Sequence, residues 1–487
     1  MSRNATSFLA VLLASTLLVA CQAPAPASTA PPAGGPGNKP ILLEGTVVMP
    51  DRVVQDGWVL VQDGKISRVF ASKPDVSNAT EVETGAIIFP GLIDLHNHVP
   101  YGVFPRWHPT RLFCDRYEWR DKDADFNGRV KKPVDYLLGQ NPLGKDFSCD
   151  MNTYGELRAL AGGTTSILAA RNLGCIRGLV RNLDYSSGFY DTSEPDSTHI
   201  LNEVNINPTT DPATLAAVNS FLADSQSEML IVHLSEGVDV ASQEEFHWFQ
   251  DQGFLTSKTV IVHGVALRPK EFRAMHNAGT SLVWSPRSNV ELYGETANVP
   301  AALDAGVRVG LAPDWTITGS SNLLDELHYA AQWNADHFSG RLTDQQLVDM
   351  VTTTAAQIAG IDDEVGAVQE GLYADLLIIR GNREDPYRAL IQAQAGDVQL
   401  VLIGGQPIYG APAFMEMFWT APELDQVNVD SQPKMVRLPQ GRFSELASEL
   451  QSVLASQGTS LAPLTESRSE GPGGSARTPE PHEGPCQ

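Results

Sequence analysis

The sequence predicts an α/β protein with a (β/α)8 barrel of the TIM type and a small composite β-sandwich domain formed by both flanks. Between residues 91 and 363, strand-like apolar runs alternate with helix-like runs, which is typical of parallel βαβ units. Four of these runs close on isolated histidines or an aspartate, and barrels of this kind place their active-site groups at the C-terminal tips of strands. The chain of 487 residues is long enough for both domains.

The N-terminal residues predict export. Residues 1–20 contain Arg3 and a short apolar run, which are typical of a signal peptide and too short for an ordinary membrane span. The run ends in LVAC at Cys21 and resembles a bacterial lipoprotein signal. This resemblance implies a lipid anchor on Cys21 and, because Gln22 follows, location at the outer membrane facing the periplasm. A plain secretory signal is the alternative. Residues 21–39, rich in Pro, Ala and Gly, are predicted to be a flexible tether.

Two β-rich flanks enclose the alternating region. Residues 40–90 contain two apolar runs separated by Asp63-Gly64, which is a strong hairpin signal. Residues 364–437 contain further strand-like runs, one of which ends at Gly404-Gly405. We predict that the two flanks pair into one small sandwich domain.

Eight strands can be placed in order between the flanks. The first lies in PGLIDLHNH, the second at 164–168, and the third and fourth at 177–183 and 199–204. The other four end near His233, His263, Ser285 and Asp314. Intervening helices are predicted at 154–161, from Asp211-Pro212 onward, and at 243–251, 269–277, 299–305 and 322–337.

Residues 438–487 are predicted to form one amphipathic helix, Phe443–Ser456, and a disordered tail. The tail, from Thr459, is rich in Ser, Pro, Gly and Glu and lacks the apolar surface for folding. Four cysteines remain after Cys21, and an exported protein can form disulfides from them in three pairings. A bridge among the first three that leaves one of them free is preferred, since these lie in the same part of the chain: Cys114, Cys149 and Cys175, with Cys486 as the fourth cysteine.

The net charge of −24 comes from 34 basic and 58 acidic side chains. Because no long basic run is present to meet phosphates, this balance argues against a nucleic-acid partner. A small-molecule substrate is expected instead, and homo-oligomerisation is left open.

His96 and His98 are the leading candidates for metal ligands. Residues i and i+2 of a strand face the same side, so both rings would aim at one point. Such a pair alone can be two ordinary histidines. However, His233, His263 and Asp314 close three other strand-like runs. Imidazole suits zinc and iron, so together these groups predict one divalent metal, zinc or alternatively iron, at the barrel mouth.

From about Gly45 to Tyr409 the chain resembles the amidohydrolase superfamily, in particular its cytosine-deaminase and chlorohydrolase branch. Several ordered motifs carry the resemblance. They are PGLIDLHNH, GELRALAGGTTSIL, HLSE at 233–236, SPRSNVEL at 285–292, GLAPDWTITGSSNLLDEL and EGLYADLLII.

The resemblance implies a role for each site residue. His96, His98, His233 and Asp314 would be the metal ligands. His263 would orient the substrate or water, and Glu236 would be the general acid/base. The candidate fourth strand lacks a lysine that could bridge two metals, so one metal is expected.

Independent chemistry agrees with these roles. Three imidazoles and a carboxylate leave a coordination position for water, whose pKa a metal lowers toward about 7. Asp314 can accept the proton of that water. Glu236 lies three residues beyond His233 and can carry a proton to a leaving nitrogen. The alternative for Glu236 is a solvated loop carboxylate.

Two departures from the family pattern concern the substrate pocket. Pro313 and Trp315 flank Asp314, and a long aromatic segment at 100–149 follows the first strand. This 100–149 segment should lie over the barrel mouth, where it is either a lid or part of the substrate pocket, or it forms a surface subdomain that packs its own aromatics. The candidate substrate-binding residues are Trp315, Asn289, Arg116 and Trp119.

The sequence therefore predicts a metal-dependent hydrolase that acts on C–N bonds other than peptide bonds. Hydrolytic deamination of a nitrogen heterocycle is the leading reaction, and amide, lactam or dechlorinating hydrolysis is the alternative within the same fold. A catalytically inactive, lipid-anchored binding protein is the alternative outside enzymes.

Overall fold

The computed structural model describes residues 39–142, 144–168, 179–183, 200–204, 206–225, 227–466 and 486. The predicted signal peptide, Cys21, nearly all of the tether and Cys175 lie outside these residues. Across the described chain the protein is α/β, which confirms the predicted class. Among the described helices, none is long and apolar enough to cross a bilayer.

Strands and helices alternate through the middle of the chain and strands dominate both flanks. The strands are β1 (Ile41–Val48), β2 (Val53–Gln62), β3 (Lys65–Phe70), β4 (Thr80–Pro90), β5 (Leu92–Asp94), β6 (Thr164–Ile167), β7 (Arg181–Asn182), β8 (Ile200–Val204), β9 (Met229–Leu234), β10 (Thr259–His263), β11 (Ser281–Trp284), β12 (Val309–Leu311), β13 (Leu376–Ile379), β14 (Val398–Ile403), β15 (Gln406–Gly410), β16 (Asp425–Val429) and β17 (Gln432–Val436). The α-helices are α1 (Ala124–Phe126), α2 (Lys132–Leu137), α3 (Ser148–Ala161), α4 (Pro212–Ala223), α5 (Val240–Asp251), α6 (Pro269–Ala278), α7 (Pro286–Tyr293), α8 (Val299–Asp304), α9 (Leu323–His337), α10 (Asp344–Asp349), α11 (Thr353–Ala359), α12 (Pro386–Gln392), α13 (Pro412–Met415) and α14 (Phe443–Ser456).

The two flanks share one sheet of nine strands, in the order β16-β17-β15-β14-β13-β4-β1-β2-β3. β4 joins them, because it pairs in parallel with β1 and antiparallel with β13. The turn between β2 and β3 reaches back to the residues before β13, where Ala374 N donates to Gly64 O. Both flanks therefore contribute strands to one continuous sheet and side chains to one apolar core.

Local turn and cap signals have the predicted effect. Asp63 and Gly64 form the turn between β2 and β3 with φ of 51° and 80°, the left-handed values that this two-residue turn needs. Asp211 caps α4 by accepting hydrogen bonds from the amides of residues 213 and 214. Gly279 ends α6 with φ of 78°.

Two parallel sheets occupy the middle of the chain. β8 to β12 form a five-stranded sheet, and β5 to β7 form a three-stranded sheet. The sheets meet where Asn97 forms a parallel bridge with Asp314, and there His98 N donates to Asp314 O at 2.9 Å. The C-terminal ends of β5 and β12, far apart in sequence, are thereby brought side by side.

The 100–149 segment packs its aromatic side chains together and also contacts the strand ends. The ring of Phe126 lies 5.2 Å from that of Trp107 and 5.0 Å from that of Trp119. Trp119 in turn lies 5.4 Å from Trp315, the residue after Asp314. The segment therefore packs its own aromatics, as one of the two interpretations expected, and it also contacts Trp315 beside the strand ends.

The C-terminal residues differ from the prediction of a disordered tail. Ala462 and Leu464 are buried, Ala462 N donates to Val103 O at 2.9 Å, and Glu466 lies 3.3 Å from the buried Arg158. The prediction is wrong for these residues, because the largely polar composition of the tail gave no indication that Ala462 and Leu464 would be buried. Residues 467–485 lie outside the description.

One disulfide differs from the preferred arrangement. Cys114 is bonded to Cys486, a pairing across 372 positions that the preference for the early cysteines did not foresee. Cys149 is also disulfide-bonded. The 100–149 segment is thus covalently tied to the C-terminus.

Candidate active site

Five groups that the sequence predicted at strand tips converge on one point. His96 and His98 follow β5, His233 lies in β9, His263 ends β10, and Asp314 follows β12. The candidate ligand atoms of His96, His98 and His233 lie within 4.8 Å of one another, and so do those of His96, His263 and Asp314. Parallel strands direct their C-terminal ends to the same edge, so residues far apart in sequence share one site.

The distances among these groups fit a divalent metal. Nε2 of His96 lies 3.0 Å from Asp314 Oδ1, and Nε2 of His98 lies 3.2 Å from the same oxygen. Zinc bonds of 2.0–2.1 Å in tetrahedral geometry imply about 3.3 Å between neighbouring ligand atoms. The donor set therefore fits one metal ion that accepts nitrogen and oxygen ligands.

The protonation states suit ligation. Burial lowers the pKa of His96, and it lowers that of His233 well below the usual range, which favours the neutral imidazole that metals bind. Burial alone would raise the pKa of the Asp314 carboxyl. Hydrogen bonds with His96 and His98 outweigh that effect and hold the pKa well below its ordinary value, so Asp314 is ionised.

Backbone strain is concentrated at these strand tips. Ser235, His263 and Asp314 have φ of 56°, 71° and 65°, in the left-handed region that non-glycine residues seldom adopt. Such conformations cluster at functional sites, where the surrounding structure holds them. Here they occur in two of the converging residues and in Ser235, which directly precedes Glu236.

His263 is oriented by helix α7. Its Nδ1 lies 2.8 Å from Asn289 Oδ1, and Asn289 Nδ2 donates to Thr296 Oγ1 at 3.0 Å. A carbonyl oxygen only accepts, so Nδ1 of His263 must carry the proton and Nε2 faces the site. Asn289, predicted to bind substrate, is placed against His263. Its neighbour Ser288 donates to Asp314 Oδ2 at 2.5 Å.

Glu236 is buried beside the cluster and is not a solvated loop carboxylate. Its Oε1 accepts a hydrogen bond from the hydroxyl of Tyr293 at 2.7 Å. Its Oε2 lies 3.7 Å from His263 Nε2 and 3.8 Å from Arg116 Nη1. Arg116, predicted to bind substrate, donates to His233 O at 2.7 Å. Arg116 of the 100–149 segment therefore contacts both a predicted metal ligand and the predicted acid/base.

An aromatic wall borders the site. The ring of Trp315 lies 5.6 Å from His98 and 5.3 Å from Tyr101. Trp119 packs against Trp315 and donates its indole N–H to Tyr293 Oη at 2.8 Å. Trp315 and Trp119 were both predicted to bind substrate. Trp315 lies next to His98, whereas Trp119, within the described part of the chain, contacts Trp315 and Tyr293 and not the converging groups themselves.

Sequence reasoning missed α7 as a helix and Tyr293 as a site residue. Asn289 and Tyr293 are separated by one helical turn and therefore share a face of α7. Glu245, whose Oε1 lies 3.4 Å from Arg116, was also missed. The i, i+4 spacing from the SPRSN motif was the available signal for Tyr293.

Comparisons with known proteins agree with this geometry. Residues 87–408 match the profile of the amidohydrolase family, and the chain belongs to that family. A 5-methylthioadenosine/S-adenosylhomocysteine deaminase of Thermococcus onnurineus (strain NA1) is 24% identical over 397 residues, covering 72% of this chain and 88% of the relative.

Solved structures share the fold. An adenosine deaminase from Xanthomonas campestris with bound zinc superimposes with a TM-score of 0.62 at 17% identity, covering 86% of this chain and 98% of that one. The atrazine chlorohydrolase of Arthrobacter aurescens TC1, complexed with zinc, gives 0.61 at 18% identity, covering 85% and 99%. Family membership makes this protein a hydrolase acting on non-peptide C–N bonds, which confirms the predicted class of enzyme.

Proposed function

We propose that this protein is a metal-dependent deaminase that hydrolyses the bond between a ring carbon and an amino group of a nitrogen heterocycle. The observation that carries the proposal is the placement of Glu236, buried beside the histidine cluster and 3.7 Å from His263. Deamination needs a group that delivers protons to a ring nitrogen and to the leaving amine. The deaminase name of the Thermococcus relative supports this reaction.

The proposed architecture is a closed barrel of eight parallel strands, β5 to β12. Support comes from the two parallel sheets and from the bridge of Asn97 to Asp314 between them. The metal would be held by His96, His98, His233 and Asp314, with zinc as the proposed ion and iron as the alternative. Bound there, a divalent cation supplies an activated water at neutral pH.

The protein groups then have distinct tasks. Asp314 is ionised and held by Ser288, so it can take the proton of the attacking water. His263 turns its Nε2 toward the site because its Nδ1 is committed to Asn289. Glu236 would carry the proton to the leaving nitrogen, since its carboxylate lies beside the cluster, 3.7 Å from His263 Nε2.

A screen for ammonia release tests the reaction class. Metal-reconstituted protein would be offered purines, pyrimidines, triazines, pterins and cyclic amides, with ammonia, chloride and new carboxylate measured in parallel. We expect ammonia from at least one aminated heterocycle. Carboxylate without ammonia would instead favour the amide or lactam alternative, and chloride release would favour dechlorination. Ligand retention without turnover would favour an inactive binding protein.

Glu236→Gln tests whether Glu236 is the proton carrier. The amide is nearly isosteric but cannot carry the proton, so kcat should fall by about 10²–10⁴-fold while metal content stays unchanged. Near-full activity in this variant would show that the proton carrier is misassigned.

We also infer that the mature protein is anchored by lipid on Cys21 at the outer membrane, facing the periplasm. The support is the LVAC run after a short apolar segment, followed by Gln22. Cys21→Ala should move the protein from the membrane fraction to the soluble fraction after cell lysis. An unchanged distribution would contradict the lipid anchor.

A further inference from the structure

A short chain of hydrogen bonds runs from the 100–149 segment to the acid/base. Trp119 Nε1 lies 2.8 Å from Tyr293 Oη, and Tyr293 Oη lies 2.7 Å from Glu236 Oε1. Tyr293 is 1% exposed and Trp119 is 8% exposed, so bulk water does not compete for these bonds.

The direction of the chain follows from the chemistry of its members. An indole N–H only donates, so the hydroxyl of Tyr293 accepts from Trp119. The proton of that hydroxyl is therefore committed to Glu236 Oε1. Burial raises the pKa of Tyr293 well above its ordinary value, and the charge of Glu236 adds to this effect. The tyrosine thus remains a neutral donor at any pH at which the enzyme works.

We propose that Tyr293, oriented by Trp119, is a positioning residue that reserves Oε2 of Glu236 for proton transfer. This inference rests on the proposed acid/base role of Glu236. A proton placed on Oε1 would face the hydroxyl proton of Tyr293 and break a short hydrogen bond, whereas a proton on Oε2 leaves the chain intact. Oε2 is the oxygen nearer His263, at 3.7 Å from its Nε2.

Helix α7 then serves two site residues from one face. Asn289 fixes the tautomer and ring orientation of His263, and Tyr293, one turn later, fixes the carboxylate of Glu236. The contribution of Trp119 makes this arrangement depend on the 100–149 segment. Proton delivery by Glu236 therefore depends on the packing of that segment against the strand ends.

A double-mutant cycle on kcat tests the proposal, using Tyr293→Phe, Trp119→Phe and their combination. Tyr293→Phe keeps the ring but removes a hydrogen bond to a charged group, so kcat should fall about tenfold or more. KM should change by less than about twofold, and metal content should not change. Trp119→Phe should lower kcat less, and it should add nothing in the Tyr293→Phe background, because it acts through that hydroxyl.

Two comparisons separate positioning from mere stability. In the Glu236→Gln background, Tyr293→Phe should cause no further loss of kcat, since the group that it positions no longer carries a proton. Tyr409→Phe is the matched control, because Tyr409 in β15 is also buried and its hydroxyl has no hydrogen-bond partner among the described residues. That variant should leave kcat unchanged.

The proposal is overturned if Tyr293→Phe retains kcat within about twofold of wild type. It is equally overturned if the losses from Tyr293→Phe and Glu236→Gln multiply as independent effects. A rise in KM with unchanged kcat would assign Tyr293 to substrate binding and would also refute the positioning role.

A spectroscopic arm distinguishes failure of this inference from failure of the proposed function. The chain has eight tryptophans, and the indole N–H signal of Trp119 can be assigned by its absence from the Trp119→Phe spectrum. In 15N-labelled protein, Tyr293→Phe should shift this signal, and Glu236→Gln should shift it through the intact tyrosine. If wild type turned over none of the heterocycles, the proposed function would fail on its own. An unmoved indole signal in Tyr293→Phe would remove the hydrogen-bond chain whatever the substrate.

Discussion

Arg116 joins the 100–149 segment to the strand ends through a buried positive charge. Its guanidinium is 2% exposed, lies 3.4 Å from Glu245 Oε1 and 3.8 Å from Glu236 Oε2, and donates to His233 O at 2.7 Å. Burial alone would lower the pKa of Arg116, but the two glutamates outweigh burial and raise it, so the group stays charged. Arg116→Met removes the cation and keeps an unbranched side chain in its place.

The expected cost follows from the groups left behind. Breaking a buried ion pair by removing one partner typically costs about 3–5 kcal/mol. Glu245 would keep the hydrogen bonds from the Tyr117 hydroxyl at 2.8 Å and from Ser235 N at 3.1 Å. Because these bonds still solvate its charge in part, we expect the free energy of unfolding to fall by about 3 kcal/mol at pH 8.

The loss should depend on pH. Burial raises the pKa of Glu245, and Arg116 opposes that rise. Without the arginine, the folded-state pKa of Glu245 moves further above its unfolded value of about 4.3. A carboxyl whose folded-state pKa is raised contributes stability at low pH, and that contribution is lost as the pH rises through the folded-state pKa. The deficit of Arg116→Met should therefore be smaller at pH 5 than at pH 8.

Urea unfolding followed by circular dichroism at both pH values, without reductant, measures these differences. Arg116→Lys is the matched control, because it keeps the charge while losing the planar fork, and it should recover more than half of the deficit. A deficit below about 1 kcal/mol at pH 8, or an equal deficit at both pH values, would refute the buried-charge argument.

Three other variants probe separate features. His96→Ala should lose the metal measured by elemental analysis, because His96 belongs to both groups of candidate ligands, and full retention of metal would contradict its proposed role. Burial raises the pKa of Glu326 from 4.5 to about 7, so its charge destabilises the fold above pH 7. Glu326→Gln should therefore raise Tm at pH 8 but not at pH 4. An equal gain in Tm at both pH values would contradict the explanation by a buried charge. Arg181→Met should lower the free energy of unfolding by about 3–5 kcal/mol, because it leaves the Asp375 carboxylate, which is 1% exposed, without its ion-pair partner. The double variant Arg181→Met/Asp375→Leu should regain most of that loss.

The features that the sequence determined by itself are local ones. The hairpin at Asp63-Gly64, the cap of α4 at Asp211 and the end of α6 at Gly279 each depend on a few neighbouring residues and their backbone preferences. The cluster of candidate metal ligands could also be predicted from the sequence, although its members are far apart in the chain. Each member closes a recognisable apolar strand, and parallel strands bring their ends to a common edge.

Only the tertiary structure decided which side chains surround that cluster. Trp119 reaches Tyr293 across 174 positions, Arg116 reaches Glu245 across 129, and Cys114 bonds to the far C-terminus. None of these pairings has a period or a turn signal, because each depends on how the 100–149 segment packs over the strand ends. Sequence periodicity encodes which face of an element is apolar, whereas the partner of a buried polar group is set by packing between elements.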